Sequence, residues 1–160
     1  MIERSIEHSS FTLERHYEAP PGRVFAAWAD PTVKARWFSG PDDWESAPHE
    51  LDFRIGGREV SSGGPPGGPV HTYRAVYWDL VPNERIVYTY EMLLDQTRVS
   101  VSLVTVELKP AGQGTLLILT EHGAFFDGIE PPARRAQGTG SLLEALAAEL
   151  QVQATDSSLD

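Results

Sequence analysis

The five histidines, His8, His16, His49, His71 and His122, are the first candidates for chemistry, and their spacing argues against a metal site. None pairs with another at i, i+4, and His49-Glu50 lacks the second histidine of a zinc-protease helix. The chain has no cysteine, which removes thiolate nucleophiles, Cys-ligated metals and disulfides together. No Gly-x-Ser-x-Gly elbow is present, so ordinary hydroxyls are the remaining nucleophiles. Gly56-Gly57 follows Arg54 without the lysine and serine of a phosphate loop, and a bulge or sharp bend is expected there. Gly138-Thr139-Gly140 lacks the third glycine and the preceding strand of a dinucleotide fingerprint. Neither a cofactor nor a metal is therefore expected.

A second group is more informative: His71, Tyr73, Tyr88, Tyr90 and Glu121. His71 and Tyr73 share a strand face with Tyr77, and the alternation leaves open whether that face is inward. A carboxylate enclosed by apolar walls titrates above its usual range and can donate or accept a proton. Glu121 and His71 are thus the candidate acid–base groups, unless Glu121 pairs with an arginine such as Arg54 or sits solvated at a strand end. Trp28, Trp37 and Phe38 either wall a cavity mouth or anchor the core, since aromatic side chains carry large burial energies. Glycines inside a helix each cost about 1 kcal/mol against alanine. Gly138 and Gly140 are therefore expected to serve close helix–sheet approach, or free volume beside a ligand that Thr139 would touch.

The elements that must position these residues follow from period and punctuation. Residues 10–17 alternate as a strand and end at Ala19-Pro20-Pro21-Gly22. Two short helices are predicted next, RVFAAWAD and TVKARWF, divided by Asp30 as N-cap and Pro31 at the first helical position. From 48 to 122 strands follow one another: HELDFRI, REVSS, then 70–80, 85–94, 97–108 and 115–122. They are rich in valine and aromatics and joined by short turns, which gives an antiparallel meander. The glycine- and proline-rich segment 61–69 is expected to be among the least ordered. After Gly128 the period becomes helical, with Leu142, Leu143, Leu146 and Leu150 on one face of a helix over 130–151. The tail from Gln153 is expected to fray. A curved sheet needs one face covered, and only this last helix is long enough to do it. The expected fold class is α+β, one curved antiparallel sheet around a long C-terminal helix, as a single domain over 1–160 with its core at about 9–151.

Composition narrows the partners. The 160 residues are 41% hydrophobic and 22% charged, as in globular domains. A net charge of −10, with only two lysines, Lys34 and Lys109, argues against nucleic acid. No membrane span or signal peptide is visible, and a cytoplasmic location is expected. A homodimer is compatible with the sequence.

Four strings in order carry a family resemblance: Ala19-Pro20 before Val24-Phe25, Asp30-Pro31 before Trp37-Phe38, Leu51-Asp52-Phe53-Arg54 before Gly56-Gly57, and Tyr73 to Leu80 before Pro82-Asn83-Glu84-Arg85-Ile86. Over about 9 to 151 the chain resembles the START-like (SRPBCC) superfamily, in the branch similar to the activator of heat-shock-protein-90 ATPase. It departs from the pattern where Gly138 is followed by Thr139 rather than tryptophan, and where the 63–69 loop is long. The resemblance implies a helix-grip fold with Tyr88, Tyr90 and Glu121 pointing inward. It also implies a hydrophobic or aromatic small molecule as the partner, and the candidate contacts for it are Trp28, Trp37, Phe38, Tyr73, Tyr88, Tyr90, Glu121 and Thr139. A cyclase- or isomerase-type enzyme and a co-chaperone-like module are the alternatives.

Overall fold

The structure, a computed structural model, describes residues 3–158. Its strands are β1 (Ile6–Tyr17), β2 (Glu45–Ser46), β3 (Glu50–Leu51), β4 (Arg58–Gly64), β5 (His71–Val81), β6 (Arg85–Leu94), β7 (Thr97–Ala111) and β8 (Gly114–Phe126). The helices are α1 (Pro21–Ala29), α2 (Pro31–Trp37) and α3 (Pro132–Ser158). All eight strands form one antiparallel sheet in the order β1-β8-β7-β6-β5-β4-β2, with β3 also paired to β4. α3 lies on its concave side and α1 and α2 close one end, which is the helix-grip arrangement.

Strand alternation decides which residues face α3. On β6, Ile86, Tyr88 and Tyr90 are buried, and on β8 Leu117, Leu119 and Glu121 are. Tyr73, Ala75 and Tyr77 of β5 are buried as well, so the open question of its parity resolves inward. Trp78 faces the other way, 58% exposed on the outer sheet surface, with its Nε1 donating to Thr89 Oγ1.

The helix starts follow their capping residues. Asp30 Oδ1 accepts from the backbone N–H of Thr32 at 2.9 Å and of Val33 at 3.3 Å, satisfying two donors that the helix cannot. Pro31 loses nothing at the first helical position. Trp37 then ties α2 to α1: its Nε1 donates to Ala27 O, and its ring packs edge-on against Trp28 at 4.9 Å.

Several boundaries differ from the sequence expectation. HELDFRI contributes only Glu50–Leu51 to the sheet, because Asp52–Gly57 turns, with Gly56 at φ +82°. A Cβ on Gly57 would lie 2.0 Å from Asp52 O, so glycine is needed for the chain to close on itself. Ser61 to Gly64 belong to β4, paired with β5 and β2, so the loop begins only at Pro65. The last helix continues past 151 to Ser158, so the tail from Gln153 is helical rather than frayed. Residues 1, 2, 159 and 160 lie outside the described residues.

α3 is held by Leu143, Leu146 and Leu150, all buried against the sheet and the short helices, with Leu142 half-buried. Tyr17 Oη donates to Leu143 O at 2.9 Å, and Arg23 donates to Leu150 O at 2.8 Å. Leu146 is fully buried, and Leu146→Ala should cost about 2–5 kcal/mol in urea-unfolding measurements.

Candidate functional site

The helices do not fill the concave side of the sheet. A cavity of about 660 Å³ remains between β4–β6, β8, the α2 end and the first turns of α3. Its exposed lining residues, including Ser39, Asp42, Ala47 and Arg134, place the mouth between the 39–47 segment and α3. Every residue singled out from the sequence as a site candidate lines it: Trp28, Trp37, Phe38, His71, Tyr73, Tyr88, Tyr90, Glu121 and Thr139.

The aromatic residues serve as core and wall together. Trp37 is buried and bonded to backbone, yet one face of it borders the cavity. Phe38 packs on Tyr73 at 4.9 Å and on Trp37 at 5.9 Å, and Tyr73 reaches Tyr90 at 4.8 Å. Such tilted and edge-on contacts stiffen a wall without closing the space behind it. His71 stacks on Trp44, ring centroids 4.8 Å apart, near the mouth. Burial drives the Tyr73 and Tyr88 hydroxyls well above their usual pKa, so both remain neutral donors.

One polar cluster borders the α3 end. Glu121 Oε2 accepts from Tyr90 Oη at 2.8 Å, and Tyr90 Oη accepts in turn from Arg135 Nη1 at 2.8 Å. Arg135 also donates to Ser100 Oγ and to Glu130, and its Nη1 is 3.7 Å from Glu121. The arginine partner of Glu121 is therefore Arg135, while Arg54 pairs with exposed Asp52. Burial raises the Glu121 pKa, and the hydrogen bond from Tyr90, the charge of Arg135 and a hydrogen bond from Ser102 offset this only in part. A raised folded-state value means that stability is lost as pH rises through the carboxylate range. Glu121→Gln should therefore have a higher urea midpoint than wild type at pH 7, and the gap should close toward pH 4.

A second cluster, not singled out from the sequence, lies behind Phe38. Lys34 and Glu59 are both wholly buried and paired at 2.8 Å. Glu59 also accepts from Tyr77 Oη at 2.5 Å and contacts His49 Nε2 at 2.6 Å. The Lys34 ammonium lies 4.5 Å from the Phe38 ring centre and 5.0 Å from that of Trp28. Burial alone would raise the Glu59 pKa, but the Lys34 charge and the hydrogen bonds from His49, Lys34 and Tyr77 pull it down to about 2. Burial lowers the Lys34 pKa, with Glu59 opposing.

The two helix glycines stand in different surroundings. A Cβ on Gly138 would meet nothing within 4 Å, so close packing does not explain it, and it borders the cavity. Gly140 lies toward β1 instead: its Cβ would sit 3.4 Å from Arg15 Nη2. Thr139, not Gly140, is therefore the position from which α3 can fill the cavity. Among the described residues no helix is long and apolar enough to cross a membrane.

Comparison with known proteins places this architecture. Residues 18–151 match the family model for Activator of Hsp90 ATPase homolog 1-like protein. An uncharacterized protein from Rhizobium leguminosarum is 42% identical with a TM-score of 0.88, covering 93% of this chain and 98% of its own. The Mll3558 protein from Rhizobium loti is 48% identical with a TM-score of 0.84, covering 91% and 99%. An AHSA1-like protein from Aeromonas hydrophila, 20% identical with a TM-score of 0.68 over 91% and 94%, shares the fold. No curated protein matches the chain. Through the match over 18–151, the chain belongs to the family of Activator of Hsp90 ATPase homolog 1-like proteins, in the START-like helix-grip superfamily.

Proposed function

We propose that this protein binds a hydrophobic or aromatic small molecule in the cavity beneath α3. The observation that carries the reading is the cavity itself: about 660 Å³, walled by Trp28, Phe38, Tyr73 and Tyr88, with polar groups only at defined points. Small-ligand sites have this form, and the volume falls within their usual range of about 300–1,000 Å³. A packed core would not maintain such a space, because interiors otherwise close to crystal-like density.

The test is a fluorescence titration with the neutral dye 1-anilinonaphthalene. Saturable one-site binding with a blue-shifted emission is expected. A linear, non-saturating response would contradict the reading.

Proton transfer on the bound molecule is a second reading, favoured by the raised pKa of Glu121 at the cavity wall and its bond to Tyr90. Turnover unchanged by Glu121→Gln, for any substrate found, would remove it.

A further inference from the structure

The cluster behind Phe38 constrains what the cavity can hold. Glu59 sits at the centre of three hydrogen bonds, with Lys34 Nζ, Tyr77 Oη and His49 Nε2. Its carboxylate is paired with the ammonium of Lys34 and has no proton to give. The hydrogen between Glu59 and His49 therefore belongs to Nε2. In the neutral imidazole this fixes the tautomer and leaves Nδ1 as a bare acceptor.

That acceptor has no partner in the protein. His49 lines the cavity with its side chain 10% exposed, and its Nδ1 is buried with no donor among the described residues within hydrogen-bonding reach. Buried acceptors in folded proteins are nearly always satisfied. The ring lies 6.3 Å from that of Phe38, and Tyr73 packs on the same phenylalanine at 4.9 Å. The Tyr73 hydroxyl is likewise buried, with the Tyr88 hydroxyl as its polar neighbour. His49 Nδ1 is thus an acceptor on the cavity wall that the protein leaves unengaged.

We infer that the ligand carries a neutral hydroxyl, phenolic, enolic or alcoholic, which donates to His49 Nδ1. The inference rests on the cavity being a small-molecule site, as proposed above. A hydroxyl supplies that donor without bringing in a charge. A carboxylate cannot donate to Nδ1, and of the lining cations Arg134 stands exposed at the mouth. Lys34 is engaged by Glu59 and Tyr77, and Arg135 by Glu130, Ser100 and Tyr90. Glu59 acts through His49 as a positioning residue, setting which nitrogen faces the ligand.

The experiment compares 1-naphthol with 1-methoxynaphthalene, which differ by the hydroxyl proton. Both compete against 1-anilinonaphthalene on wild type and on His49→Phe. Wild type should bind the naphthol about tenfold more tightly, as expected for one buried hydrogen bond. In His49→Phe the two affinities should converge while methoxynaphthalene binding persists. Nitrogen-15 spectra of wild type give a second measurement should that variant not fold. They should show His49 protonated at Nε2 only, with the Nδ1 resonance moved by naphthol and not by its methyl ether. Equal binding of both compounds to wild type, a preference that survives in His49→Phe, or an unmoved Nδ1 resonance would overturn the inference and leave the cavity reading standing. Displacement of the dye by neither compound would overturn the inference, and failure of the dye itself to bind would overturn the cavity reading with it.

Discussion

Glu59→Gln should destabilise the protein by about 3–5 kcal/mol, because it strands the Lys34 ammonium without a counter-charge where no water reaches it. Aromatic faces at 4.5–6.0 Å ease the burial of that cation but do not replace a carboxylate. The double variant Lys34→Met/Glu59→Gln should recover most of the loss, since a buried pair removed whole leaves no orphaned charge. Urea unfolding of Glu59→Gln, Lys34→Met and the double variant checks this, and a double variant worse than either single one would show that the pair itself stabilises the fold. The pH dependence adds an independent arm. The Glu59 pKa is about 2 in the folded chain, below its unfolded value near 4.5. Its contribution is therefore present above the unfolded value and is lost as pH falls through about 2. Wild type should lose stability over that window by more than Glu59→Gln does.

Thr139→Trp should weaken 1-anilinonaphthalene binding at least tenfold while leaving stability within about 1 kcal/mol of wild type. Thr139 lines the cavity from the one stretch of α3 that offers it no bulk, with Gly138 beside it and open space over the missing Cβ. An indole there enters unoccupied volume instead of displacing packed atoms. Gly140→Leu is the matched control, since it presses on Arg15 and does not enter the cavity. A loss of several kcal/mol in Thr139→Trp, with wild type never binding the dye, would mean that the interior is solid. The co-chaperone-like alternative would then lead.

The sheet was legible because its inward faces alternate aromatic and branched residues, as in Ile86, Tyr88 and Tyr90. β5 was not fully legible, since Trp78 on its outer face is as large and apolar as Tyr77 on its inner one. Lys34 and Glu59 escaped for a different reason. Each sits in an ordinary surface-like string, TVKARW and REVSS, and only the tertiary fold brings them together. A weak signal existed for Lys34, which shares a helix face with Trp37 three residues on. Arg135 was more accessible still. It lies four residues before Thr139 and eight before Leu143, in phase with the buried stripe, whereas Arg134 is out of phase and exposed. His49 was weighed only as a metal ligand, and its pairing with Glu59 depends on β4 meeting the irregular segment before β3. The helix end was misplaced because the polar composition of ATDSS suggests fraying, although the helix continues through it.

The four indole N–H resonances offer the most direct test that a small molecule enters this cavity. Trp28, Trp37 and Trp44 line it, whereas Trp78 stands on the opposite face of the sheet with its Nε1 tied to Thr89. On titration with 1-anilinonaphthalene, the first three signals should shift together and saturate at one equivalent, with Trp78 unmoved. Movement of Trp78 alone, or of none of the four, would contradict the account.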